Sequence, residues 1–268
     1  MHHTTAARWT LRLATAAVLL FLYLPLAIVV ILSFNTSKSL AWPPDGFTLH
    51  WWSEAAHNTG ARHALLTSLK VATGATLLAL VLGTLTSLAV QRHRFFGRET
   101  VSFLVVLPIA LPGIVTGIAL NSAFRQVGIE LGLFTLIVAH ATFCIVVVYN
   151  NTLARLRRLS PHLEEASADL GADRFQTYRF VMFPLVRTAL LAGGLLAFGL
   201  SFDEIVVTTF TAGAGIETLP QWILNNLSRP NQLPIVNVVA TFVVLVSILP
   251  VWAAQKLTGE APGLAGGR

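Results

Sequence analysis

Runs of apolar residues long enough to cross a bilayer alternate with short polar segments along this chain. The first run occupies residues 13–34 and follows Arg8 and Arg12. Its length suits a membrane-spanning helix and exceeds that of the apolar core of a secretory signal peptide, the alternative interpretation. The pattern predicts a retained transmembrane helix with a kink near Pro25.

Five further runs have comparable length and polarity, which predicts an all-α integral membrane protein with six transmembrane helices. The predicted spans are 13–34, 65–90, 101–121, 131–150, 185–210 and 236–253. They form one membrane domain, 13–256, between a short N-terminal segment, 1–12, and a tail, 257–268. A loop at 151–184 separates the fourth span from the fifth.

Prolines and glycines mark the third span. Pro108 and Pro112 predict a kink. Gly113 and Gly117 have the GxxxG spacing that allows another helix to pack closely. We expect ordinary helix packing at these glycines, with a subunit interface as the alternative.

Several aromatic and polar residues have an expected structural role. The segment 35–64 is predicted to form an interfacial belt or a short helix on the outer surface. We expect it to help build a platform for an external partner, with plain membrane anchoring by its tryptophans as the alternative. Asn121 and His140 are expected to be paired polar groups, and no functional role is assigned to them. The tryptophans of the outer segment are Trp42, Trp51 and Trp52.

Composition and charge exclude an ordinary soluble domain. Apolar residues make up 54% of the chain and charged residues 11%, and the mean hydropathy is +0.70. Six spans place both termini on one side of the membrane. If that side is cytoplasmic, 13 of the 18 basic residues are inside, as the positive-inside rule requires, so the net charge of +6 reflects topology and does not call for a nucleic-acid partner. The basic residues left outside are Lys38, Arg62, Lys70, Arg125 and Arg229.

The polar segment, defined as Ser160–Pro184, lies within this apolar chain and is predicted to form two short helices around a turn. Ser160 is a candidate N-cap with Pro161 at the first helical position, and glutamates in the early turns suit the helix dipole. Gly171 ends the first helix, and Asp173 caps the second. Pro184 predicts a break or kink. The predicted apolar faces are Leu163, Ala166 and Leu170 on the first helix, and Phe175, Tyr178 and Met182 on the second.

This segment resembles the EAA motif of permease subunits of ABC importers, in which E-A-A is followed by three residues, a glycine and a variable stretch ending in I-x-L-P. Ser167 replaces the usual alanine and Phe183 the usual leucine, and both changes nearly preserve size and polarity. The alternatives from the residues alone are an interfacial elbow or a DNA-binding helix-turn-helix. The residues expected to couple to an ATPase are Glu164, Glu165, Ala166, Ser167, Gly171, Phe183 and Pro184.

The resemblance implies the type I ABC importer permease fold, with the polar segment as the coupling helix that docks on a cytoplasmic ATPase. It also implies a second homologous permease subunit, two ATPase subunits and an extracytoplasmic substrate-binding protein, in a bacterial inner membrane. ATP and Mg²⁺ then belong to the ATPase, and this chain is expected to hold no cofactor, metal or catalytic residue. Alternating access would be driven by movement of the coupling element.

Two adjacent carboxylates, Asp203 and Glu204, lie in the fifth predicted span. Charged groups are costly in hydrocarbon, so they are expected to face the bundle interior, a water-filled path or a partner helix. A helix that enters near Leu185 brings Asp203 about 27 Å across the bilayer. The alternative is that the helix ends near Phe202, with both acids among headgroups. Because the chain continues apolar to Phe210, we expect the acids within the span, with Asp203 slightly favoured to line a path.

The sequence around these acids, SFDEIVVTTFTAG followed by ETLP, is similar to that of permeases in the spermidine and putrescine branch of ABC importers. The similarity implies that Asp203 and Glu204 belong to an acidic substrate path for a polycation. Relatives of this branch also move ferric iron and organophosphonates, so these remain alternative substrates.

Other classes of protein fit less well. The chain contains no HExxH, GxSxG or paired cysteines, which argues against an intramembrane enzyme. None of its lysines follows a glycine, so it has no Walker A loop for ATP. A proton-coupled secondary transporter or channel is the serious alternative, but such a carrier has no need for the capped polar segment.

Overall fold

The structure, a computed structural model, describes residues 5–38, 42–92, 95–160 and 162–259. Residues 1–4, Pro161 and residues 260–268 of the predicted tail lie outside this part. The described residues are mainly helical, and their β pairing is an isolated bridge between Asn35 and Phe47. The helices are α1 (Thr5–Leu32), α2 (His50–His57), α3 (Thr59–Arg92), α4 (Arg98–Ala110), α5 (Gly113–Gln126), α6 (Leu133–Leu156), α7 (His162–Asp169), α8 (Arg174–Gln176), a π-helical segment (Thr177–Met182), α9 (Phe183–Phe202), α10 (Val206–Thr211), α11 (Leu219–Leu227) and α12 (Leu233–Gly259).

Apolar helices of membrane-spanning length match most of the predicted spans. Among the described residues, 4 helices are long and apolar enough to cross a membrane, or up to 5 if α4 and α5 form one bent span. Pro25 lies inside α1, which continues to Leu32. The sixth predicted span, 236–253, lies within α12. The all-α membrane fold is confirmed, and the count of six spans stays a prediction.

The third predicted span, 101–121, is two helices instead of one. Leu111 and Pro112 have extended backbone conformations between α4 and α5, which bend by 110°. Proline disfavours a helical conformation in the residue before it and supplies no N–H, so Pro112 starts a new helix. Pro108, by contrast, is tolerated inside α4.

The GxxxG glycines of α5 pack against α10 of the same chain. A Cβ added at Gly113 would meet Val206 at 3.3 Å, and one added at Gly117 would meet the Phe210 ring at 2.8 Å. Close approach of a neighbouring helix is therefore what these glycines permit. The partner is intramolecular, as expected for ordinary packing.

The chain divides into two compact units, Met1–Arg62 with Trp222–Ile248 and His63–Gln221 with Leu249–Arg268. In the second unit, α6 is the central helix, with buried residues along most of its length. Gly83 of α3 lies so close to α6 that an added Cβ would be 3.0 Å from the carbonyl oxygen of Ile145. Small residues thus bring α3 against α6, as in many membrane helix pairs. The buried core residues here are Ala75, Ala79, Ala139, Ala141, Phe143, Cys144, Val148, Ala197 and Val207.

In the first unit, α2 confirms the short helix expected in the outer segment, and its Trp51 is buried. The indole Nε1 of Trp51 donates to the backbone oxygen of Asn35 at 2.9 Å. Trp52 stacks on Phe34 at a ring-centroid distance of 5.3 Å. Trp51 is therefore a core residue of this segment, whereas Trp42 is exposed.

Candidate functional site

The first helix of the polar segment, α7, ends as the sequence predicts. Gly171 has φ +81, in the left-handed region that favours glycine. Its N–H donates to Ala168 O at 2.8 Å, and the Ala172 N–H donates to Ser167 O at 3.1 Å. These two bonds form a Schellman motif, which satisfies carbonyl groups at the end of a helix. The expected glycine turn is confirmed.

The second helix begins with the predicted cap. Asp173 Oδ1 accepts from the Gln176 N–H at 2.8 Å, and Gln176 Oε1 accepts from the Asp173 N–H at 2.9 Å. This reciprocal pair is a capping box. The α8 helix that it starts passes directly into the π-helical segment.

Pro184 does not break this helix. The helix widens to π geometry over Thr177–Met182, and the Phe183 N–H bonds Tyr178 O, before α9 continues in α geometry with Pro184 in its first turn. Proline has no N–H and is tolerated at the start of a helix. The change of helix type therefore accommodates Pro184 without interrupting the chain.

The apolar face predicted for α7 is not its buried face. Ala166 is exposed and Leu170 is 89% exposed, whereas Ser167 is buried. Ser167 Oγ and Thr177 Oγ1 are 3.0 Å apart and share a hydrogen bond, so α7 packs on the π-helical segment through a polar contact. On the second helix Met182 is buried as predicted, but Phe175 is 67% exposed.

An ion pair joins the polar segment to α3. Arg92 Nη2 lies 2.7 Å from Glu164 Oε2, and each side chain is about one-third exposed. Glu165 instead pairs with His162 within α7, at 2.9 Å from Nδ1, in an exposed position. The two glutamates therefore differ, since only Glu164 connects α7 to a membrane-length helix within the described contacts.

Phe183 lines a groove of about 850 Å³ formed by α3, the π-helical segment and α9. Its ring lies 6.3 Å from that of Tyr178, which lines the same groove. Arg187 is the charged residue in an otherwise mostly apolar lining. The C-terminal part of the predicted coupling motif is thus continuous with the surface of the membrane-spanning helices.

The acidic turn, defined as Asp203–Ile205, interrupts the fifth predicted span. That span, 185–210, was expected to be one helix, but α9 ends at Phe202 and α10 begins at Val206. The expectation that the acids lie inside a continuous helix is therefore wrong. The helix ends at Phe202, as in the alternative, but α10 then resumes the apolar run, and a headgroup location for the acids stays a prediction.

The two carboxylates have different surroundings. Glu204 Oε1 accepts from the Val207 N–H at 2.9 Å, so this half-buried side chain caps the first turn of α10. Asp203 follows the last turn of α9 and is exposed, and within the described residues its carboxylate makes no hydrogen bond or ion pair. Asp203 is thus the more exposed of the two carboxylates, and its role in a substrate path stays a prediction.

Polar residues of α5 and α6 hold the acidic turn and α10 in place. His140 is fully buried and lies 2.8 Å from both Ser201 Oγ, through Nδ1, and Thr208 Oγ1, through Nε2. Asn121 donates from Nδ2 to the backbone oxygen of Phe210. The expectation that Asn121 and His140 are paired polar groups is confirmed. Their common target, the α9–α10 region, was missed.

Comparison with known proteins identifies the family. Residues 75–258 match the family described as "Binding-protein-dependent transport system inner membrane component". The chain belongs to this family. The resemblance to importer permeases, inferred from the polar segment and the acidic turn, is confirmed.

Curated relatives resemble this inner-membrane component over most of their length. The "Spermidine/putrescine transport system permease protein PotC" of Haemophilus influenzae is 35% identical, over 89% of this chain and 92% of its own. The "Putrescine transport system permease protein PotI" of Escherichia coli is 33% identical, over 83% and 81%. A "Putative 2-aminoethylphosphonate transport system permease protein PhnV" of Salmonella choleraesuis is 29% identical, over 91% and 94%.

A solved structure supports the fold. One chain of a crystal structure of "a bacterial ABC transporter involved in the import of the acidic polysaccharide alginate" has a TM-score of 0.71 at 16% identity. The match covers 98% of this inner-membrane component and 100% of that chain. The permease fold expected for the family is therefore present.

No signal in a single sequence marks the residues that hold α10. His140 and Asn121 are 61 and 89 residues from the groups that they bond, Ser201 and Phe210. A polar residue inside an apolar helix suggests a function but names no partner. The hydrogen bonds form when α5 and α6 pack against α9 and α10.

Proposed function

We propose that the chain is the permease subunit of an ATP-driven importer of polyamines, with putrescine and spermidine as substrates. The observation that carries this proposal is the similarity to relatives whose names state spermidine and putrescine transport, at 33–35% identity over more than four-fifths of the chain. Polyamines are flexible cations, so their path through a membrane needs negative groups that can replace water.

The acidic turn supplies such groups. The exposed Asp203 carboxylate stands just beyond the C-terminal end of α9, where helix carbonyl groups carry partial negative charge. In broken membrane helices, such C-terminal ends coordinate cations. In the proposed path Asp203 meets an ammonium group of the substrate. Glu204 contributes negative potential while its carboxylate caps α10.

The polar segment serves as the proposed docking site for a cytoplasmic ATPase. Leu170, Phe175 and Phe180 are 89%, 67% and 68% exposed. Large apolar side chains exposed on a polar segment are typical of a surface that another protein covers. The positive-inside rule supports a cytoplasmic location for this segment and both termini. Movement of the ATPase would reach α3 and α9 through Glu164 and Phe183.

The proposed assembly contains two permease subunits, of which the second is a related polypeptide, together with two ATPase subunits and an external substrate-binding protein. ATP and Mg²⁺ are bound by the ATPase subunits. The family description, an inner-membrane component of a binding-protein-dependent system, supports the external partner. Closure of the ATPase pair on ATP opens the path toward the binding protein, and hydrolysis resets it.

The first test is a pull-down of the full chain from detergent-solubilised membranes, with copurified proteins identified by mass spectrometry. We expect an ATPase, a second permease and a soluble binding protein that binds putrescine or spermidine in calorimetry. A chain recovered alone would contradict the importer and favour a proton-coupled carrier. A binding protein that takes 2-aminoethylphosphonate or ferric iron would retain the importer and overturn the polyamine assignment.

A further inference from the structure

His140 joins the two helices on either side of the acidic turn. Its imidazole lies between Ser201, in the last turn of α9, and Thr208, in the first turn of α10, with 2.8 Å to each hydroxyl oxygen. All three side chains are buried, with 2% exposure or less. The imidazole of His140 therefore bridges the two helices that flank the acidic turn.

The hydrogen bonds around the ring can be assigned a direction. Thr208 Oγ1 donates its one hydrogen to the backbone oxygen of Glu204 at 2.8 Å. It must therefore accept from His140, so Nε2 carries the ring hydrogen and Nδ1 accepts from the Ser201 hydroxyl in the neutral ring. A continuous chain of hydrogen bonds thus runs from Ser201 through His140 and Thr208 to the backbone of Glu204.

Filling space does not require a histidine at this position. Thr208 already bonds a backbone oxygen, so its hydroxyl has a partner without the ring. An apolar side chain on α6 would avoid the cost of burying an imidazole among the apolar residues Ala139, Ala141 and Phe143. The contribution specific to histidine is a rigid bridge with two polar ends, which fixes the distance between α9 and α10.

We propose that His140 is a positioning residue of the transport path, which holds the α9–α10 break so that the Asp203 carboxylate is presented to the transported cation. His140 does not itself contact the cation, because the ring is buried behind the turn. This inference rests on the proposed role of Asp203 in the path.

The test uses the complete importer, purified with the partners that copurify and reconstituted in proteoliposomes with saturating binding protein and putrescine. Putrescine uptake and ATP hydrolysis are measured in the same sample, and their ratio is the readout. A variant that merely lowers the amount of folded protein reduces both rates equally and leaves the ratio unchanged. The variants are His140→Ala, Asp203→Asn and their combination.

We expect Asp203→Asn and His140→Ala each to lower the uptake-to-hydrolysis ratio by about 3- to 10-fold. We expect the double variant to be no worse than Asp203→Asn, because His140 acts through that carboxylate. If the double variant instead lowers the ratio by the product of the two single effects, His140 does not act through Asp203. That result would overturn the positioning role of His140 but not the proposed path. An unchanged ratio in Asp203→Asn would overturn both the proposed path and the inference.

Two further variants protect the test against a folding failure of His140→Ala. Thr208→Val and Ser201→Ala remove the partners of the ring with little change of volume, and we expect both to lower the ratio in the same direction. The matched control is Thr142→Val, which removes a hydroxyl from the same helix, α6. The Thr142 hydroxyl donates to the backbone oxygen of Ala139 at 2.7 Å and is not part of the hydrogen-bond chain through His140. Normal ratios in Thr208→Val and Ser201→Ala would overturn the proposal.

Discussion

The polar segment and the acidic turn are both interruptions in a chain of apolar helices, but they are made in different ways. The turn in the polar segment is local, because Gly171 and the Asp173–Gln176 capping box lie within six residues of each other. The acidic turn contains neither glycine nor proline, and contacts from α5 and α6 hold the helices around it. A turn that is stabilised by its own residues can move as a unit. A turn that is held by contacts from distant helices is fixed relative to those helices.

This difference fits the two proposed roles. A segment that docks on an ATPase must keep its own shape while it changes position relative to the membrane helices. A group that receives a cation must instead be pre-positioned by rigid neighbours.

Replacing Gly171 by proline is expected to abolish transport, with uptake below about a tenth of the normal rate. Proline fixes φ near −65°, whereas Gly171 has φ +81 and uses its N–H in the Schellman motif. Putrescine uptake in cells that depend on this importer is the measurement, together with the amount of protein in the membrane. Gly171→Ala is the matched control, since no atom lies within 4 Å of the added Cβ, and the remaining left-handed strain costs about 1–2 kcal/mol. Normal uptake by the Gly171→Pro variant would show that coupling does not require the turn at Gly171.

Within the acidic turn, Asp203→Asn is expected to lower polyamine uptake more than Glu204→Gln. The Asp203 carboxylate has no described protein partner, whereas a glutamine at 204 retains the oxygen that accepts from the Val207 N–H. The measurement compares initial uptake rates of the two variants at equal ATPase association. An equal loss in both variants would assign the effect to net charge, and no loss in either would give both acids a structural role.

Reversing the Arg92–Glu164 ion pair tests the connection between the polar segment and α3. Arg92→Glu and Glu164→Arg are each expected to lower uptake by about 2- to 5-fold, because a partly exposed pair contributes about 0.2–1 kcal/mol. The double reversal should restore much of the loss. Arg98→Glu, at the start of α4, is the control for a change of charge nearby. Additive losses in the double reversal would show that the pair does not connect the two elements.

Within the polar segment, the sequence correctly predicts the glycine turn and the capping box but not the buried face of α7. Caps depend on residues three or four positions apart, which a sequence displays directly. The buried face of a helix as short as α7 depends on its neighbour, and there the Ser167–Thr177 hydrogen bond turns Ala166 and Leu170 outward. Leu170 is therefore exposed and belongs to the candidate docking surface, whereas an apolar residue of an amphipathic helix is ordinarily expected to be buried.

The sequence alone establishes that this is a helical membrane protein, that its third span is kinked by proline, that a helix ends at Gly171, and which family the chain resembles. These features follow from apolar length, backbone chemistry and short motifs, all of which act locally. The tertiary structure decides that α9 ends before Asp203, that α10 packs on the glycines of α5, and that His140 bridges Ser201 to Thr208. These hydrogen bonds and packing contacts join residues more than 60 positions apart, so they form only after the helices assemble.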